Sequence, residues 1–197
     1  MLRKTTLLLF FLGAFHCFTQ STFKKGYFIT NYDQKTECLI QYEDLRNNPN
    51  GFNYKLHDSA QIKKGYFGLI KEFGDDAMSF KYIKRSFKID KSPNQGSRLS
   101  NERKPKFVED EAFLKVLVEG TVNLDQYSDD GVKKFFYQKD DKELQQLVYK
   151  KYRHSASKIG ANEQYKQQLK TDLQCSKFKL QDFMNLKYSV KSLSKII

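Results

Sequence analysis

The sequence predicts an α+β fold in which two small antiparallel β meanders are joined by a polar linker and followed by a short helical C-terminal tail. Apolar and polar residues alternate between turn clusters in residues 21–90 and again after residue 107, which is typical of half-buried strands. Residues 91–106 are polar throughout and contain two of the three prolines, as expected of a linker or an exposed loop. In residues 107–197 the apolar spacing lengthens toward the C terminus to about four residues, which indicates helices.

Length and composition are those of one globular domain. The chain has 197 residues, of which 39% are hydrophobic and 15% aromatic, so it can bury a core despite a mean hydropathy of −0.70. This composition excludes a globally disordered chain. Ten glycines and three prolines without a fixed-period repeat also exclude collagen-like and proline-rich architectures.

Residues 1–20 predict a secretory signal peptide. Arg3 and Lys4 form a basic start, and the apolar run Leu7–Phe18 carries no charge. The alternative is a membrane anchor, but crossing a bilayer takes about 20 apolar residues, and this run is shorter. We therefore expect export to the periplasm or cell surface, with no transmembrane span after cleavage near residue 20.

The first predicted meander occupies residues 21–90. Strands over Gly26–Thr30 and Glu37–Glu43 flank a turn at Tyr32–Gln34 and form a hairpin. A dense turn cluster follows at Asn47–Gly51, where asparagine, proline and glycine favour a chain reversal. Further strands are predicted over Phe52–Leu56, Tyr66–Phe73, Met78–Ile83 and Ser86–Ile89.

The second predicted meander follows the linker, which has a net charge of +4. A tight turn is expected at Ser128–Gly131, because an Asp-Gly pair tolerates the positive φ angles that such turns require. The predicted strands are Phe113–Glu119, Thr121–Tyr127, Val132–Gln138 and Leu144–Tyr152.

Two helices are predicted in the tail. The first follows a possible cap at Asn162, and its apolar residues recur every four positions: Ala161, Tyr165, Leu169 and Leu173. The second is capped by Ser189 and places four apolar residues on one side: Leu186, Val190, Leu193 and Ile197.

Lys187, Lys191 and Lys195 recur every four residues opposite that apolar side, in a region, residues 153–197, with a net charge of +6. A basic amphipathic helix of this kind can lie on an anionic surface, so these lysines are the candidate binding residues. Amphipathic helices that dock on a core and leave their lysines in solvent have the same pattern. The docked helix is the simpler interpretation.

The two cysteines beyond the leader, Cys38 and Cys175, are a candidate disulfide. Export would place them where disulfides persist, and the bond would join the first meander to the tail. The alternative is two buried free thiols, because unpaired cysteine is among the most buried residue types. The spacing of the two residues leaves both interpretations open.

Motifs for catalysis, cofactors and metals are missing from the sequence. It contains no phosphate-binding loop, dinucleotide fingerprint, nucleophile elbow or zinc-ligand spacing, so no cofactor or metal is expected. His57 and His154 stand apart from any such motif. The acidic pairs fall where turns are predicted, a position that aspartate favours: Asp75–Asp76, Asp129–Asp130 and Asp140–Asp141.

These observations favour a non-enzymatic binding or structural protein of the cell envelope, with an envelope protein or an anionic envelope surface as its partner. The formal net charge of +12, which becomes +10 when Arg3 and Lys4 are removed with the signal peptide, fits such a surface, and export disfavours nucleic acid as the partner. The alternative is an envelope hydrolase with a site assembled from distant residues, for which the acidic turns and the two histidines are the available groups.

Several short motifs carry a resemblance to a known family. They are KGYFITN at 25–31, the Asn-Pro turn, KKGYFG at 63–68, FLKVLVEG at 113–120, LVYKKY at 147–152 and the helix end at Tyr165–Cys175. With these motifs the chain resembles a family of exported proteins of unknown function common in Bacteroidetes. The resemblance spans most of the chain after the leader. It implies an exported bacterial protein with a β meander and a helical tail, and it assigns no activity, ligand or catalytic residue.

Overall fold

A computed structural model describes residues 23–41, 47–155, 157–173 and 177–197, so the predicted signal peptide lies outside the described residues. The described part is mostly antiparallel sheet with three short helices near the C terminus, which confirms the predicted α+β class. The strands are β1 (Phe23–Thr30), β2 (Lys35–Gln41), β3 (Gly51–Lys55), β4 (Lys63–Tyr66), β5 (Ile70–Asp75), β6 (Lys81–Ile89), β7 (Val108–Val118), β8 (Val122–Asp129), β9 (Val132–Lys139), β10 (Gln145–Gln146), β11 (Lys150–Arg153) and β12 (Ile159–Asn162). The helices are α1 (Gln164–Leu173), α2 (Leu180–Met184) and α3 (Val190–Ile196).

Ten of these strands form one continuous sheet in the order β10-β9-β8-β7-β6-β5-β1-β2-β3-β4. The strands on either side of the linker, β6 and β7, pair with each other from Tyr82–Lys115 to Ile89–Val108. The two meanders are therefore halves of a single sheet, and residues 91–106 leave the sheet and return to it. The last two strands, β11 and β12, form a separate hairpin.

The predicted bounds of four strands are wrong. The strand predicted over Tyr66–Phe73 is divided into β4 and β5 by a turn at residues 67–69, which the Leu69 N–H closes by donating to the Tyr66 carbonyl (3.0 Å). The two strands predicted between residues 78 and 89 form one strand, β6. The strand predicted over Leu144–Tyr152 is divided into β10 and β11. Apolar and aromatic residues gave these segments strand character, but backbone hydrogen bonds, local in the turn at residues 67–69 and between distant segments elsewhere, decide where each strand ends.

Strands β6 and β7 bury side chains on both faces of the sheet, in two different cores. Tyr82 on β6 and Phe113 on β7 belong to an N-terminal core that lies against β1–β5. Phe87 on β6 and Leu114 on β7 belong to a central core with residues of β8 and β9. Since successive side chains of a strand point to opposite faces, β6 and β7 contribute to both cores. The sheet curves back so that β10 contacts β6. This curvature encloses the central core.

The helices form a third, helical core on the face of β8 and β9 that points away from the central core. Its buried residues are Leu124, Phe135, Tyr137, Leu147, Tyr165, Leu169, Phe183, Leu186, Leu193 and Ile196. The predicted cap of α3 is confirmed, because the Ser189 side chain accepts a hydrogen bond from the Ser192 N–H (3.4 Å). The Asn162 side chain likewise accepts from the Gln164 N–H (3.1 Å) at the start of α1.

Two residues that were predicted on the apolar sides of the tail helices, Ala161 and Val190, do not lie in the helical core. Ala161 belongs to β12, because pairing with Lys151 continues the hairpin almost up to the helix. Val190 is 38% exposed, whereas Ile196 is buried in the helical core. Because α3 begins at Val190, this residue lies at the open end of a short helix.

Asp90 holds both ends of the linker segment, residues 91–106. The buried Asp90 carboxylate accepts hydrogen bonds from the Ser92 N–H (2.7 Å) and the Lys106 N–H (3.0 Å) and lies 3.2 Å from the buried ammonium of Lys150. Burial raises the pKa of Asp90, but the hydrogen bonds from Ser92 and Lys106 and the charge of Lys150 outweigh burial, so the net pKa lies below its usual value.

Two buried lysines fasten the linker segment further. The Lys150 ammonium donates to the Lys104 carbonyl (2.9 Å), and the Lys134 ammonium donates to the Ser92 carbonyl (2.9 Å). Burial lowers the pKa of Lys134 to about 8, against the opposing effect of Asp90. Although most of the segment is exposed, buried charges fix its course over the sheet.

Candidate functional site

The predicted lysine row lies only partly on the last helix. Lys187, Lys191 and Lys195 are all exposed, but α3 begins at Val190, so Lys187 precedes the helix. The capping residue Ser189 sets the start of the helix, so of the three lysines Lys191 and Lys195 lie on α3 and Lys187 lies just before it. Leu193 on the opposite side is fully buried in the helical core, which favours the docked interpretation.

One of the two cysteines of the predicted disulfide, Cys38, lies within the described residues. Cys38 lies on β2 in the N-terminal core, and burial raises the pKa of its thiol to about 11. Cys175 lies outside the described residues. The pairing of these two cysteines remains a prediction.

The acidic pairs and the histidines lie in turns. Asp130 and Asp140 adopt positive φ angles of 41° and 51°, which confirms turns at Asp129–Asp130 and Asp140–Asp141. Asp75 differs, because it is buried and its carboxylate accepts hydrogen bonds from Ser79 and from the Phe80 N–H. The two histidines lie in different turns, His57 after β3 beside Ser59 and His154 after β11 beside Tyr152.

The side chains that metal ions prefer do not converge in the described part of the chain. No group of three or more His, Cys, Asp or Glu residues there is arranged to hold a metal ion.

A cleft of about 320 Å³ lies between the linker segment, β9 and the tail, and we call it the tyrosine–lysine cleft. It is lined by Asn94, Gln95, Gly131, Lys133, Phe135, Tyr149, Lys151 and Tyr188. Both charged residues of this lining are lysines. The cleft therefore combines aromatic rings and side-chain amides with two ammonium groups, which make it positively charged.

Tyr188 fixes the aromatic wall of the cleft. Its hydroxyl donates a hydrogen bond to the Leu147 carbonyl (2.9 Å) and accepts one from the Phe135 N–H (3.0 Å). These two hydrogen bonds hold the side chain in place. The Tyr149 ring stacks on the Tyr188 ring, with centroids 4.8 Å apart and planes 26° apart. A ring held in this way loses little conformational entropy when a ligand packs against it.

Asn94 joins the linker wall of the cleft to the hairpin. Its side-chain oxygen accepts from the Lys151 N–H (2.8 Å), and its amide nitrogen donates to the Tyr149 carbonyl (3.4 Å). The linker wall also depends on Asp90, which holds the same segment at Ser92. The cleft is thus assembled from four separate segments of the chain: the linker, β9 with the turn before it, the hairpin region and Tyr188.

Sequence reasoning missed this cleft. Tyr149 and Lys151 belong to the LVYKKY motif, but their pattern predicted only a strand. Tyr188 lies next to the lysine row and carried no local signal for its partner Tyr149. A clue was available in the spacing of tyrosines and lysines within LVYKKY, but such residues are equally common in half-buried strands.

A second cleft, of about 270 Å³, is acidic and lies where the Asn-Pro turn meets β7 and β8. The Lys91 ammonium is 3.0 Å from an Asp110 oxygen, and the Tyr127 hydroxyl donates to Asp129 (3.2 Å). Burial and the neighbouring Asp129 raise the pKa of Tyr127 to about 12. Asp129 comes from a predicted acidic turn, and the structure brings it into one cleft with Asp110.

The carboxyl group of Asp125 is buried, and few polar contacts offset the cost of removing it from water. It is 1% exposed, its nearest cation is the Arg85 guanidinium at 3.4 Å, and within the described residues neither oxygen accepts a hydrogen bond. Burial raises the pKa of Asp125 to about 6, although Arg85 acts in the opposite direction.

This raised pKa predicts a pH dependence of stability. The folded protein binds the Asp125 proton more tightly than the unfolded protein, so this group lowers the free energy of unfolding as the pH rises from about 4 to about 6. In Asp125→Asn this effect is absent, so its stability relative to the wild type should grow by about 2 to 3 kcal/mol from about pH 4 to about pH 7. Urea unfolding of both proteins across this range measures the difference. Glu109→Gln, at an exposed site, is the control, and a pH-independent difference for Asp125→Asn would contradict the prediction.

Comparisons with known proteins leave the site to be interpreted from its geometry. No protein-family model, curated protein or solved structure matches the chain. In the part of the chain that the structure describes, no helix combines the length and hydropathy that a membrane crossing requires.

Proposed function

We propose that this protein is an exported, non-enzymatic binding protein of the cell envelope that holds an anionic carbohydrate in the tyrosine–lysine cleft. The observation that carries the proposal is the convergence of Lys133, Lys151, Tyr149 and Tyr188 around one cleft. Carbohydrate rings pack against aromatic side chains, amides bind their hydroxyl groups, and lysines attract a carboxylate or phosphate substituent.

Two further features support the proposal. The predicted signal peptide would bring the chain to a compartment rich in anionic glycans. The net charge of +12, which becomes +10 when Arg3 and Lys4 are removed with that peptide, favours encounter with them. The cleft volume of about 320 Å³ falls in the range of small-ligand sites.

Calorimetric titration with trigalacturonic acid tests the proposal. We expect binding that weakens about tenfold to a hundredfold in Lys133→Gln/Lys151→Gln, because each lysine near an anionic group contributes roughly 1 kcal/mol. Tyr149→Leu should weaken binding by a similar factor, because it removes an aromatic wall, whereas neutral maltotriose should bind poorly to every variant.

The matched control is Lys191→Gln/Lys195→Gln, which changes the net charge equally at exposed positions outside the cleft. Equal losses in this control and in the cleft variant, or equal binding of maltotriose and trigalacturonic acid, would contradict the proposal. The acidic cleft favours the alternative function, an envelope hydrolase, because it places Asp110 and Asp129 together. Cleavage of trigalacturonic acid that is lost in Asp110→Asn would favour this alternative.

A further inference from the structure

A second basic surface lies on the face of β1–β4 that points away from the N-terminal core. Phe28, Ile40 and Phe52 point into that core from β1, β2 and β3. Because side chains alternate along a strand and paired residues share a face, the residues between them point to solvent. This face, which we call the lysine–aromatic face, carries Phe23, Lys25, Tyr27, Lys35, Lys55, Lys64 and Tyr66.

Three lysines of this face are positioned over aromatic rings. The ammonium of Lys55 lies 4.7 Å from the ring centroid of Phe23, that of Lys35 lies 4.8 Å from Tyr27, and that of Lys64 lies 5.5 Å from Tyr66. Attraction between each cation and the ring below it restricts the lysine side chain. Strands β1 to β4 therefore present a set of oriented ammonium groups.

The lysines of the lysine–aromatic face outnumber the acidic residues near it, so the face is positively charged. Glu72 accepts a hydrogen bond from the Tyr27 hydroxyl (2.7 Å) and lies 3.5 Å from the Lys81 ammonium. Glu37 is exposed and paired across the ladder with Tyr27. Lys25, which is exposed, adds a fourth ammonium to the three that lie over rings.

We propose that the lysine–aromatic face binds a linear anionic polysaccharide through these ammonium groups. A solvent-facing sheet surface with charges spread over four strands fits a repeating polyanion better than a compact ligand. Single-stranded nucleic acid binds mainly by stacking bases on open rings, and here a lysine covers a ring face of Phe23, Tyr27 and Tyr66. The proposal does not rest on the tyrosine–lysine cleft, which lies in the other half of the sheet.

The test compares two triple variants with the same change in net charge. Lys35→Gln/Lys55→Gln/Lys64→Gln removes the ammonium groups over the rings, and Lys142→Gln/Lys158→Gln/Lys170→Gln removes three exposed lysines that lie outside this face, the cleft and the lysine row of the tail. The probe is long-chain polygalacturonate, titrated at several salt concentrations. We expect the first variant to bind about tenfold to a hundredfold more weakly, with a shallower salt dependence, and the second to bind within about threefold of the wild type.

The outcomes are distinguishable from those for the cleft. Trigalacturonic acid should bind the first variant as it binds the wild type, and equal melting temperatures would show that the variant is folded. Equal loss of polygalacturonate binding in both triple variants would overturn the proposal, because net charge would then explain it. Tighter binding of oligo-dT or of anionic phosphatidylglycerol vesicles than of polygalacturonate would also overturn it.

Discussion

Leu193→Asp is expected to lower the free energy of unfolding by about 4 kcal/mol, enough to unfold much of a marginally stable domain. Leu193 is fully buried in the helical core, where α3 packs against the sheet. The substitution removes an apolar side chain and puts an unpaired carboxylate in its place, and burying such a charge is costly. Urea unfolding at neutral pH measures the change.

The control for this prediction is the triple variant of Lys187, Lys191 and Lys195 to Gln. These lysines are exposed, so the variant should unfold within about 0.5 kcal/mol of the wild type. Wild-type stability of Leu193→Asp would contradict the docked helix. Loss of anionic vesicle binding in the triple variant would support the sequence-based hypothesis that the lysines meet an anionic surface.

Asp90→Asn is expected to lower the free energy of unfolding by about 3 to 5 kcal/mol and to release the linker segment. The substitution leaves the buried ammonium of Lys150 without its anion, although the shape of the side chain is kept. It also replaces an oxygen that accepts from Ser92 or Lys106 with an amide donor. Urea unfolding measures the stability, and limited trypsin digestion at Arg98 and Arg103 measures the exposure of the linker.

Asp110→Asn is the matched control, because Asp110 is paired with the half-exposed Lys91 at a similar distance. A partly exposed pair of this kind contributes about 1 kcal/mol or less, so the control should keep the linker resistant to trypsin. Because the linker forms one wall of the tyrosine–lysine cleft, Asp90→Asn should also weaken trigalacturonic acid binding. Unchanged trypsin resistance in Asp90→Asn would show that other contacts hold the linker.

Local residue chemistry was sufficient to predict the fold class, several turns and the ends of some helices. Alternation identified β1 and β2, and the Asp-Gly pair identified the turn between β8 and β9, where Asp130 and Gly131 have positive φ angles. Ser189 was identified as a cap because its hydroxyl bonds to a backbone N–H only three residues away. Each of these features depends on neighbours in sequence, so the sequence by itself determined it.

Only the tertiary structure decided which distant segments meet. Alternation shows which side chains of β6 share a face, but it does not show that β7 pairs with β6 or that the two faces of these strands belong to different cores. Tyr149 and Tyr188 stack because the tail returns to the sheet, and Asp90 is buried because both ends of the linker close around it. Burial and ion pairing are properties of the assembled chain, since they depend on contacts between residues far apart in sequence. The two clefts and the pKa shifts of Asp90, Asp125 and Lys134 therefore arise only when the sheet has formed.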